Sequence, residues 1–155
     1  MKPRNRIELL ALIARVLLGV WFVYSGGLKL WGTGLDRFVT DIGNYKLLQP
    51  PLDAMAAYTV PWLELFAGLC LMLGLWMRGA IGVLFGLVCG FFVFIAWAWA
   101  HQLDISCGCH GSDAPIQYWA KVVEFLVYFS LFTWLWRLEG KAATADLEQN
   151  LQNMA

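Results

Sequence analysis

The residues best equipped for chemistry stand together at 105–111, Ile-Ser-Cys-Gly-Cys-His-Gly. Cys107 and Cys109 are two of the four cysteines, and His110 is one of the two histidines. A disulfide between them needs Cα atoms within about 7 Å, and Gly108 supplies the backbone freedom for so small a ring. Such a ring is strained, and strained disulfides are oxidising and labile. As an imidazolium, His110 would raise the thiolate fraction of its neighbour, whereas Asp104 acts the other way. Three readings of the site stand open. It is a redox-active dithiol, a metal site formed by Cys107, Cys109, His110 and His101, or a structural clasp. Zinc sites normally use wider cysteine spacing, which weighs against the metal.

The rest of the chain must hold that stretch somewhere, and its composition says where. Of 155 residues, 60% are apolar and 14% charged, and the mean hydropathy is +0.61. These values lie outside the soluble pattern and imply an integral membrane protein. A formal net charge of zero leaves no basic footprint, so nucleic acid is not an expected partner. Lys2, Arg4 and Arg6 precede an apolar run that continues to about residue 30, longer than a signal-peptide core, so it reads as a retained first span.

Four runs reach the ~20 residues that a spanning helix needs, at about 8–28, 58–77, 80–100 and 116–136. The expected fold is all-α: a four-helix transmembrane bundle, residues 1–137, with an amphipathic tail at 138–155. Leu35, Phe38, Val39 and Ile42 recur at helical spacing, predicting a short interfacial helix between spans one and two, with Asp36, Arg37, Asp41 and Lys46 on its other faces. Pro51 is placed to open span two, and Pro61 to kink it. Gly82, Gly86 and Gly90 form a stripe on span three that suits close helix packing. Arg78, Arg137 and Lys141 join the N-terminal basic residues on one side if both termini are cytoplasmic, and no Lys or Arg occurs from His101 to Asp113. The Cys-Gly-Cys loop is then periplasmic in a bacterial inner membrane, a compartment that permits disulfides. Tryptophans at 31, 62, 97, 99, 119, 134 and 136 fall near span ends, as an aromatic belt requires.

Several charges fall inside the spans. An ionisable group at mid-bilayer costs about 2.5–3.5 kcal/mol on insertion scales and needs a partner or water. Arg15, Gly19, Phe22, Gly26 and Lys29 share one helix face, and Gln117, Lys121, Glu124 and Tyr128 share another. Counting ~1.5 Å of rise per residue puts Glu64, Lys121 and Glu124 at one level, with Lys29 above them and Arg15 nearer the other surface. The expectation is a polar cluster of Lys29, Glu64, Lys121 and Glu124 beneath the cysteine loop. It fixes helix register, carries protons or binds a quinone head. Cys70 and Cys89, near mid-membrane, read as small buried hydrophobes.

Three stretches together carry a resemblance: Arg15-x₃-Gly19-x₂-Phe22-x₂-Ser25-Gly26-x₂-Lys29-Leu30, Pro61-Trp62-Leu63-Glu64-Leu65-x₂-Gly68, and Leu103-Asp104-Ile105-Ser106-Cys107-Gly108-Cys109. In these the chain resembles the DoxX-like membrane proteins, and within them the MauE branch tied to methylamine utilisation. The resemblance implies a four-helix membrane protein associated with thiol redox outside the cytoplasm, with Cys107 and Cys109 as redox pair and Lys29 and Glu64 as family-pattern polar residues. MauE-like proteins are linked to maturing disulfide-containing periplasmic proteins, and other relatives to sulfur-compound oxidation with quinone as acceptor. His110 departs from the aromatic of that pattern, and Lys121 with Glu124 stand for an Arg-Asp pair. The function expected is electron exchange between periplasmic protein dithiols and a membrane quinone, with no covalently bound cofactor. The alternative is an accessory subunit packed into a larger membrane complex.

Overall fold

The computed structural model describes residues 3–102 and 117–154. Helix α1, Pro3–Gly27, starts at a proline, which the first helical turn tolerates because its missing N–H has no partner there. It runs directly into a π-helical turn, Leu28–Gly32, closed by the Thr33 N–H on the Leu28 carbonyl at 2.8 Å. Helix α2, Leu35–Asn44, follows Gly34, whose φ of 87° breaks the run. It buries Phe38 and Ile42 against Ala57, while Leu35 and Val39 are half-buried. Asp41, assigned by its polarity to an outer face, is instead 8% exposed on the packed side.

Helix α3 covers Leu52–Leu73 and α4 covers Met77–Ala100. Between them Gly74 adopts a left-handed conformation, φ 75°, that a side chain would strain. Its N–H and that of Leu75 both reach the Cys70 carbonyl, which caps α3. Helix α5, Tyr118–Met154, extends 37 residues without a break at Gly140. All the described regular structure is helical.

Helix α1 lies along α3, α3 along α4, and α4 along α5. Phe22 closes the circuit on α5, its ring 5.9 Å from Tyr128 and 6.0 Å from Phe132. The shared core contains Leu18, Leu71, Ile81, Leu84, Val88 and Leu135. Large apolar side chains such as Leu17, Phe66, Leu73 and Val93 point outward instead, as lipid-facing surfaces do. Among the described residues, three helical stretches are long and apolar enough to cross a membrane: Arg6–Gly32, Leu52–Leu73 and Met77–Ala100. The fourth expected span falls within α5, which is not one of these three; Lys121, Glu124 and flanking aromatic residues lower its hydropathy.

Close helix packing falls on different glycines from those expected. A Cβ on Gly26 would lie 2.7 Å from the Pro61 carbonyl oxygen, and one on Gly68 would lie 2.9 Å from that of Gly19. The α1–α3 contact is therefore backbone against backbone. Of the expected stripe, a Cβ on Gly82 would meet the Trp136 ring of α5 at 4.0 Å, whereas Gly86 and Gly90 have open space there, so no described helix packs closely on them. Gly26→Ala and Gly68→Ala should each cost about 1–3 kcal/mol by overpacking. Gly86→Ala should leave the unfolding midpoint in mixed micelles unchanged. Equal loss in all three would remove this account of the α1–α3 contact.

Candidate functional site

Lys29 and Glu64 form the most buried polar contact described. Both residues are 1% exposed. The Lys29 Nζ donates to Glu64 Oε2 at 2.6 Å, to Oε1 at 2.9 Å and to Ser25 Oγ at 2.8 Å. Ser25 Oγ donates in turn to Glu64 Oε2 at 3.3 Å. An ammonium has three donors, and here each has an acceptor. Two aromatic faces complete the enclosure, with Nζ 5.4 Å from the centre of the Phe38 ring and 5.3 Å from that of Phe91. Lys29 stands on the π-helical turn, a rare form of backbone that recurs at functional positions. The expectation had placed Lys29 above Glu64; the two are directly paired.

A second pair sits on α5. Lys121 Nζ is 2.7 Å from Glu124 Oε2, one helical turn along, and the Tyr128 hydroxyl donates to Glu124 Oε1 at 3.0 Å. These side chains are less enclosed, 18% exposed for Lys121 and 33% for Glu124. The two pairs are not separate sites. Ser25 and Glu64 from one, and Lys121, Glu124 and Tyr128 from the other, line a single cavity of about 50 Å³ with Phe22 and Phe91 among its walls. A cavity of that volume has room for a few waters, each needing ~10–15 Å³ and two or more polar partners. Of the four residues expected to lie together, Glu64, Lys121 and Glu124 line this cavity, and Lys29, on the π-helical turn, pairs with Glu64 without reaching the cavity wall.

Arg15 takes no part in it. Its guanidinium reaches the α3–α4 turn, where a Cβ on Gly74 would lie 3.3 Å from Nη2. The carbonyl end of α3, the negative pole of its dipole, lies there. The ring of His101 packs 4.0 Å from that of Trp97, with Nδ1 3.0 Å from the Trp97 carbonyl oxygen. Cys70 and Cys89 are half-buried free thiols. Cys107, Cys109 and His110 lie outside the described residues, as does Asp104. The helix ends that flank their stretch meet, because the Trp99 and Tyr118 rings stack with centroids 6.1 Å apart and planes 11° from parallel. Among the described residues no group of three His, Cys, Asp or Glu side chains could hold a metal ion.

The features that sequence reasoning missed were the rings over Lys29 and the burial of Asp41. A signal for Asp41 existed: Phe38, Asp41, Ile42 and Tyr45 are spaced three, one and three residues apart, which puts the acid in the middle of the apolar face.

Comparison with known proteins bears on the same residues. The family description "Methylamine utilisation protein MauE" matches residues 7–138. The chain belongs to the MauE family. The match covers all four side chains of the two ion pairs and the cysteine stretch between α4 and α5. With the three apolar helices, it makes this MauE chain a multi-pass membrane protein. No curated protein and no solved structure matches it.

Removing one partner of a buried pair leaves an uncompensated charge, a loss of about 3–5 kcal/mol. Lys29→Met and Glu64→Leu should each lose that much, and the double variant should recover most of it, in a double-mutant cycle of micelle unfolding. Glu124→Gln, in the more exposed pair, should lose about 1 kcal/mol or less. Additive losses for Lys29 and Glu64 would mean that the two are not coupled.

Proposed function

We propose that this MauE protein is a thiol–disulfide redox protein of the bacterial inner membrane. In this reading α1, α3, α4 and the first part of α5 are four spans, α2 lies at the interface, and both termini are cytoplasmic. Cys107 and Cys109 then face the periplasm. The observation that carries the proposal is the small cavity at which Glu64 of one ion pair and Lys121 and Glu124 of the other meet among aromatic and aliphatic walls, towards the end of the bundle where α4 and α5 flank the cysteines. A charged, wettable site of this kind inside a bilayer is expensive and marks ion or proton traffic by default.

The reaction divides into two balanced steps. A thiolate of the periplasmic protein dithiol attacks the Cys107–Cys109 disulfide, and the mixed disulfide resolves, leaving the substrate oxidised and both MauE thiols reduced. The two thiols then give two electrons and two protons to a membrane quinone, forming the disulfide again and a quinol. Glu64, Glu124, Lys121 and Lys29 stabilise charge and move those protons, and His110 adjusts the thiol beside it. No covalently bound cofactor is required.

A second reading, an accessory subunit of a larger membrane assembly, is favoured by the length of α5. At 37 residues it is about 55 Å long, well beyond the ~20 residues that a bilayer accommodates.

Thiol trapping in intact membranes, equilibrated against defined redox buffers, tests the proposal. Cys107 and Cys109 should titrate together in a reversible two-electron transition at an oxidising potential, with Cys70 and Cys89 as unresponsive controls. Thiols that never pair would end the dithiol mechanism. A bridge that yields only to the strongest reductant would make the loop a clasp, and stoichiometric migration with a large complex would favour the accessory subunit.

A further inference from the structure

Two apolar spaces lie outside the polar cavity. One is a cleft of about 120 Å³ between α2, α3 and α4, lined by Phe38, Phe91, Gly86 and Gly90 among others, and its one charged wall residue, Asp41, is already engaged. The other is a groove of about 330 Å³ between α4 and α5, lined by Ile81, Gly82, Phe85, Phe132, Thr133 and Trp136. Arg78, Ile81, Gly82 and Phe85 are spaced three, one and three residues apart, which makes them one stripe of α4. Phe129, Phe132, Thr133, Trp136, Arg137 and Gly140 make the facing stripe of α5. Phe85 meets Phe129 and Phe132 edge to face, with centroids 5.5 and 6.5 Å apart, and closes one end of the groove. At the other end the Arg78 guanidinium crosses to α5, where a Cβ on Gly140 would lie 3.6 Å from Nη2. Arg137 stands one helical turn before Gly140 on the same face. With Thr133 it borders a second, more polar space of about 380 Å³, so the groove is apolar along its length and cationic at one end. Phe85 and Trp136 are 39% and 47% exposed, and the groove is open at its side.

We infer that this groove holds one acyl chain of an anionic phospholipid whose phosphate lies between Arg78 and Arg137. The site depends on α5 being a fourth span and is independent of the thiol chemistry. Charge selects the head. Arg78 and Arg137 are exposed, and neither forms an ion pair with an acid among the described residues. A guanidinium binds phosphate oxygens through two parallel N–H donors, and basic pockets between spans on the cytoplasmic side take anionic heads. Both arginines lie on the side read as cytoplasmic. Depth suits the chain, because positions 78 to 85 cover about 10 Å of helix, within one leaflet of a ~30 Å hydrocarbon core. Shape excludes a second helix. Close helix contact needs bare small residues, but the Trp136 ring lies 4.0 Å from where a Gly82 Cβ would stand, and Phe85 and Phe132 rise beside it. An unbranched chain passes between those rings.

The test is native mass spectrometry of the full chain in micelles, offered equal amounts of phosphatidylglycerol and phosphatidylcholine with the same acyl chains. One phosphatidylglycerol should be retained saturably and in preference. Arg78→Gln and Arg137→Gln should each weaken its retention about five-fold, the contribution of one basic residue beside an anionic headgroup, without moving the unfolding midpoint measured in the absence of lipid. Gly82→Leu should weaken it at least as much by occupying the groove, whereas Gly86→Leu, in the other cleft, should not. Equal retention of the two lipids, or retention that survives both glutamines, would overturn the headgroup site. Displacement of the lipid by millimolar inorganic phosphate would overturn the chain's part in it, leaving a site for free anions. Equal loss in Gly82→Leu and Gly86→Leu would mean a general lipid coat, and a dimer that excludes lipid would give the groove to a second copy. Cys107→Ser/Cys109→Ser should retain the lipid as the parent chain does, so failure of the thiol mechanism leaves this site standing.

Discussion

An ammonium and a carboxylate, both withdrawn from solvent, set the conditions that the surrounding helices must meet. Lys29 and Glu64 belong to different helical segments, and their pairing distance of 2.6 Å leaves little tolerance in how those segments sit. The desolvation of each ion costs several kcal/mol, and Coulomb attraction offsets that only if the remaining donors are also satisfied. Ser25 supplies the missing acceptor from one turn below Lys29. For all three groups to meet, α1 must approach α3 to backbone contact, and Gly19, Gly26 and Gly68 are the positions that permit it. The glycines and the ion pair are thus one constraint seen from two sides. Without the glycines the charges could not reach each other, and without the charges the contact would lose its register.

The second pair obeys a looser rule. Lys121 and Glu124 are neighbours on one helix, so their contact constrains no packing, and both keep some exposure. What gives them weight is position. Through the polar cavity their charges face Glu64, which has no exposure of its own. A sealed pair and a more accessible one thus border the same small volume.

How much of this was legible depended on whether the signal was local. The apolar runs announced α1, α3 and α4, and amphipathic spacing announced α2. The turn expected between about 77 and 80 stands instead at 74–76, and α3 begins at Leu52 rather than near 58. Helical rise alone put Glu64, Lys121 and Glu124 at one level. Lys29 was expected in one cluster with Glu64, reaching it from above; the π-helical turn on which it stands was not expected, since nothing in Leu28–Gly32 announces it. The glycine stripe on α4 was misjudged for a different reason. Four-residue spacing says that a face is smooth, not whether a helix or a cavity lies on it. Gly19, Gly26 and Gly68 look less regular in sequence, yet they make the contact, since tightness depends on what faces each of them. Asp41 was read by polarity when its spacing already put it among Phe38, Ile42 and Tyr45.

Phe91 joins these observations into one arrangement. Its ring lines the polar cavity and the apolar cleft, and its face lies 5.3 Å from Lys29. Without it, the two spaces would lose a common wall and Lys29 would lose one of its two covering rings. An aromatic ring suits that place because it is apolar towards the cleft yet presents negative electrostatic potential to a cation. An aliphatic residue would serve the first requirement and fail the second.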